Sequence, residues 1–129
     1  MIHPISSTRL AFCGPTAVAA ITGLDITSIE TIFWYYRGLD MEENIIIEGV
    51  FDYEILKVLE YYRFRTMPHY TEFSLLKDVL MESRTFYSWN TIFLVTVPNH
   101  VLVVNQGRVN DTTPEDKLIE KVWSVWPIN

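Results

Sequence analysis

The spacing of apolar positions changes near residue 90, dividing the chain into a helical part and a strand part. Ala17-Val18-Ala19-Ala20-Ile21 is apolar on every side, which predicts a helix in the middle of a core. Its start falls at Cys13 or Gly14, since Pro15 suits a first turn and Gly23 suits a helix end. A second helix is predicted over 28–37, with Thr27 and Glu30 as a capping box and Gly38 as its stop. A third runs from Val50 to Tyr62 on a face of Ile55, Leu56, Val58 and Leu59. Phe64 to Pro68 reads as a short strand ended by the proline. Thr71 caps a further helix to Ser83, built on Phe73, Leu76, Leu80 and Met81.

Beyond residue 90 the segments have strand length. Thr91 to Val97, Asn99 to Val104 and Arg108 to Thr112 are three predicted strands, with Asn105-Gln106-Gly107 as the hairpin between the last two. Thr113-Pro114-Glu115-Asp116 starts a short helix, and Val122 to Trp126 supplies a final strand. Helices first and an antiparallel sheet afterwards make an α+β layout. With no repeat and no linker, residues 1–129 are expected to form one domain.

Composition narrows the function classes. Hydrophobic residues are 49% and charged residues 20%, as in a globular chain. A net charge of -6 with scattered Lys and Arg argues against nucleic acid, because no basic surplus exists to displace counterions. The longest apolar runs are far short of the ~20 residues of a membrane span, so no membrane partner is expected. Met1-Ile2-His3-Pro4 lacks a basic start followed by an apolar run, and a cytoplasmic protein is the expectation. One cysteine excludes an internal disulfide. One cysteine and three scattered histidines show no metal-ligand spacing, so neither metal nor cofactor is expected.

The candidate chemistry centres on Cys13. A thiolate at a helix start is stabilised by the positive end of the helix, and Gly14 leaves room beside the sulfur. A buried structural thiol is the competing reading, as free cysteine is among the most buried residue types. His100, after Pro98-Asn99 and ahead of four apolar residues, sits at a strand mouth where an imidazole can act as base. His3 and His69 are weaker candidates. With Asn105 to Gly107 as the loop, Val104 faces Arg108 and His100 faces Thr112, which brings Asp111 within one step of His100. Asp111 can then orient the imidazole. Alternation points Asp111 away unless Gly107 carries a bulge, and otherwise Asn110 serves. Asn110-Asp111-Thr112 equally suits a turn into the next helix. Trp123, Trp126, Tyr61-Tyr62 and Trp34-Tyr35-Tyr36 can wall a peptide groove, although packing is the commoner use of such rings. Glu42, Glu43, Glu48, Asp52 and Glu54 read as a solvated face.

At these residues the chain resembles the papain-like cysteine peptidases, and in particular small bacterial and phage domains related to bacteriocin-leader-processing peptidases. Cys13-Gly14-Pro15-Thr16-Ala17 with Gly23, Phe93-Leu94-Val95, His100 to Val104 and Gly107 to Thr112 carry the likeness. It implies a papain-like α+β fold and a thiol peptidase or acyl-transfer enzyme acting on a peptide or isopeptide bond of a peptide or protein substrate. Cys13, His100 and Asp111 would be its triad. The family usually places a glutamine before the cysteine to help hold the oxyanion, and here Ser6 to Phe12 contains none. Loss of one such donor costs ~10²–10³ in rate. The Cys13 N–H with Ser7 or Thr8 are the substitutes available. The same departure implies an alternative, a catalytically silent relative, phage-encoded and host-directed, that binds a partner protein through the old groove.

Overall fold

The computed structural model describes residues 2, 13–38, 52–66, 75–98, 100–110 and 121–129, with the backbone alone at Cys13. Among the described residues four helices and four strands follow one another: α1 (Cys13–Thr22), α2 (Ile26–Arg37), α3 (Asp52–Tyr61), α4 (Leu76–Ser83), β1 (Ile92–Val97), β2 (His100–Asn105), β3 (Arg108–Val109) and β4 (Ser124–Ile128). The strands form one antiparallel sheet in the order β3-β2-β1-β4. The α+β expectation therefore holds at the level of class.

Ala17 to Ile21 are buried without exception, as an all-round apolar helix requires. Gly23, at φ 75°, closes α1 by donating its N–H to the Ala19 carbonyl at 2.8 Å. Gly38 ends α2 in the same left-handed conformation. The start of α2 differs from expectation. Thr27 is not the cap; it lies inside the helix, and its carbonyl accepts from the Thr31 hydroxyl. Asp25 holds the cap position without a side-chain hydrogen bond. Ile26 is buried in line with Ile29 and Phe33, so burial of that stripe sets the boundary two residues earlier than 28.

The sheet is covered on both faces. On one, α1 packs along β2 with α2 and α3 behind it, and Leu94, Val101 and Val103 join that cluster. On the other, Leu76 and Val79 of α4 meet Phe93, Val95, Val97, Leu102, Val104 and Val125. Met81, expected to face inward, is exposed; Val79 takes the core position. Arg37 and Glu54 tie α2 to α3 through two hydrogen bonds of 2.7 and 3.0 Å. That bond, more than the opposing effect of burial, raises the Arg37 pKa above its already high ordinary value. Burial, and then the nearby Tyr61, push the Tyr62 phenol up.

Three strand expectations change. The strand expected over Arg108 to Thr112 ends at Val109, and Asn110 lies beyond it. The segment from Phe64 contributes one bridge, Thr66 to Ile128, with paired Arg65–Asn129 backbone bonds of 2.9 and 2.8 Å; Met67 and Pro68 lie outside the described residues. The final strand begins at Ser124, not Val122. The helix expected from a cap at Thr71 begins instead at Leu76, because extended Leu75 holds the cap position and bridges to Lys121. Thr71 itself and the helix expected from Thr113 fall outside the described residues.

Candidate active site

Three elements of the proposed centre are laid out by the fold: a helix start at Cys13, a strand start at His100 and the hairpin that leads to Asn110. A helix start gathers unpaired N–H groups and the positive end of the helix dipole, the electrostatic setting a thiolate needs. The Cys13 side chain, Ser7, Thr8 and Asp111 lie outside the described residues.

His100 is half-buried and opposes Val97, the last rung of the β1–β2 ladder. Side chains alternate along a strand. Val101 and Val103 point to α1, whereas Leu102 and Val104 point to α4. His100 shares the parity of Leu102, so its Cβ leaves the sheet on the α4 side. Being the first residue of β2, it stands at the sheet's end and not between two layers. The α1 layer therefore lies on the opposite face of the sheet from the His100 Cβ.

The hairpin register corrects the expected loop. Val104 opposes Val109 and Asn105 opposes Arg108, leaving the two-residue loop Gln106-Gly107 with no bulge. Both loop residues have positive φ, 55° and 75°, the requirement of a tight turn matched to strand twist. Asn105 stays in the strand because its buried amide donates to the carbonyls of Thr91 at 3.0 Å and Trp89 at 3.4 Å.

Asn110 has a different task from the one expected. Its N–H donates to the Val103 carbonyl at 3.0 Å, and its Oδ1 accepts from the Val103 N–H at 2.9 Å. The side chain thus completes the ladder in place of a backbone carbonyl. Val103 lies three residues from His100, roughly 10 Å along a strand. Asn110 as the alternative orienter is therefore corrected to a strand cap.

A polar group that no motif in the sequence marks lies on the α1 side of the sheet. Thr96 and Ser124, opposite each other in β1 and β4, share a hydroxyl–hydroxyl hydrogen bond, and the Trp126 Nε1–H donates to Ser124 Oγ at 3.2 Å. Thr96 also opposes Val101, one rung inward from His100. The hint was polar Thr96 and Ser124 within strands of valine and leucine.

The aromatic residues divide. Trp34 is buried and Trp126 half-buried, while Tyr35, Tyr36, Tyr61 and Trp123 are exposed. Glu54 faces Arg37 instead of solvent alone. Among the described residues, no three His, Cys, Asp or Glu side chains gather as a metal site, and no helix is long and apolar enough to cross a membrane. No family model, curated protein or solved structure matches this chain.

Proposed function

We propose that this chain is a thiol peptidase or related acyl-transfer enzyme of papain-like build, working in a reducing, cytoplasmic setting. One observation carries the reading: the helix that starts at the sole cysteine packs along the strand that starts at His100. His100 takes the thiol proton, and the Cys13 sulfur adds to the carbonyl carbon of a peptide or isopeptide bond. The C–N bond then breaks as the amine leaves with the proton from His100. Water, or an acceptor amine, attacks the thioester and frees Cys13. Asp111 holds the ring, and the Cys13 N–H with Ser7 or Thr8 holds the oxyanion.

A second reading is favoured by the Cβ of His100 lying on the α4 side of the sheet. It is a silent papain-like domain that binds a partner protein without turnover. Alkylation of the full chain across pH tests both, with Cys13→Ala as blank. The enzyme reading expects fast alkylation with a midpoint below the ordinary thiol range, moved upward in His100→Ala, together with cleavage of some member of a peptide library. Fast alkylation without turnover selects the silent domain. Reaction only after unfolding sinks both.

A further inference from the structure

The loop between α4 and β1 holds aromatic rings out in water on a rigid frame. Phe86 and Tyr87 are each 92% exposed and pack edge to face, with centroids 5.9 Å apart; Trp89 is 46% exposed. Burial of any of these rings would release water from apolar surface, so their exposure calls for a reason. The loop does not collapse onto them because it is fastened from beneath. Buried Ser88 donates to the Glu82 carboxylate at 2.9 Å, Thr85 donates to the Glu82 carbonyl at 2.8 Å, and Asn105 holds the carbonyls of Trp89 and Thr91. Rings fixed before binding lose little freedom on binding.

Charge along the loop and hairpin segment runs against that of the chain. Residues 83–110 contain no Asp or Glu, although the chain has 16, and they include Arg84 and Arg108. The two arginines belong to one surface. Arg84 lies over Gly107, so close that a Cβ there would come within 2.7 Å of Arg84 Cγ. Both arginines are exposed, and the one nearby acid of the last α4 turn, Glu82, is engaged by Ser88.

We propose that this loop and the adjoining hairpin tip dock on an anionic lipid bilayer, with Phe86, Tyr87 and Trp89 entering the interface and Arg84 and Arg108 meeting lipid phosphates. Apolar Phe86 with the amphipathic rings of Tyr87 and Trp89, flanked by cations, suits the headgroup level. The loop projects two adjacent rings, and a bilayer accepts both without a shaped pocket. A second copy fits poorly here, because symmetric pairing would set arginine against arginine. The proposal concerns lying on a membrane, not crossing one, and does not depend on Cys13.

Flotation of the full chain with vesicles of phosphatidylcholine alone, and of phosphatidylcholine with phosphatidylglycerol, tests it. The protein should float with the mixed vesicles at low salt and less with the neutral ones. Phe86→Ser/Tyr87→Ser should lose at least about tenfold in partitioning to mixed vesicles, with the unfolding midpoint unchanged because neither ring is in the core. Arg84→Gln/Arg108→Gln should lose about fivefold per arginine, and with it the preference for anionic lipid. Failure of the unaltered chain to float with mixed vesicles overturns the proposal and turns the rings toward a protein's apolar cleft. Undiminished flotation of the ring variant overturns it as well.

Discussion

Val97 and His100 face each other across the last rung of the β1–β2 ladder, and Val97 belongs to the α4 side of the sheet. The proposed base is thus carried by a strand whose α1-facing side chains are its neighbours Val101 and Val103. Its position at the strand end, half-buried, separates its chemistry from the stability of the core. Cys13→Ala should abolish turnover and His100→Ala should lower it by ~10²–10⁴, the range for a general base. Thermal unfolding of His100→Ala should stay cooperative, at a cost of about 1 kcal/mol, the usual size for a single substitution. Retained turnover in either variant rules out the dyad.

Asn110 and Val103 give a test that separates capping from catalysis. Asn110→Ala strips the Val103 N–H of its acceptor and should destabilise the fold by about 1 kcal/mol in urea unfolding. Asn110→Asp, which keeps an acceptor oxygen, should recover most of that loss. The pH profile of Cys13 alkylation should be unmoved in both. A profile shifted by Asn110→Ala would restore it as an orienter.

Gly107 is held by conformation and by space at once. Gly107→Ala should cost about 1–2 kcal/mol for a side chain in the left-handed region, plus the displacement of Arg84. Adding Arg84→Ala to that chain should recover the displacement part alone. Full recovery would show that the positive φ carries no cost here, against expectation.

The α2–α3 ion pair should contribute steadily across the neutral range. The raised Arg37 pKa means its stabilisation is fully present below the unfolded value and is lost only as pH rises through the folded one, in strong alkali. A double-mutant cycle of Arg37→Ala and Glu54→Ala at neutral pH should give a coupling of about 1 kcal/mol, for a bidentate pair partly out of water. A coupling near zero would make the pair decorative.

Tyr62 adds an alkaline signature. Its pKa is raised chiefly by burial, so the folded state keeps the phenol proton longer than the unfolded one, and stability falls as pH rises through the folded value. Tyr62→Phe should flatten that part of the alkaline unfolding profile. Ultraviolet titration of tyrosinate should show one phenol fewer in the late-titrating group.

Sequence alone determined the parts whose cause is local. An all-apolar run between Pro15 and Gly23 can only be a buried helix, and Gly38 and Gly107 mark turns that need positive φ. The change of period near residue 90 was enough for the α+β class. Pro15 marked a helix start at Cys13 or Gly14, and the apolar run up to Val104 marked a strand from Asn99, whose described part begins at His100.

The tertiary structure decided what depends on neighbours. The Thr27-to-Glu30 pattern lost to burial of Ile26, because packing an apolar stripe outweighs one capping bond. Asn105 chose the hairpin length through carbonyls at Trp89 and Thr91, on a loop far from it in sequence. The side taken by His100 was unreadable for a physical reason. Val101 to Val104 are buried on both faces of the sheet, so the strand shows no alternation of polar and apolar residues to reveal its parity. Only the helices, α1 on one face and α4 on the other, give those two faces their identities.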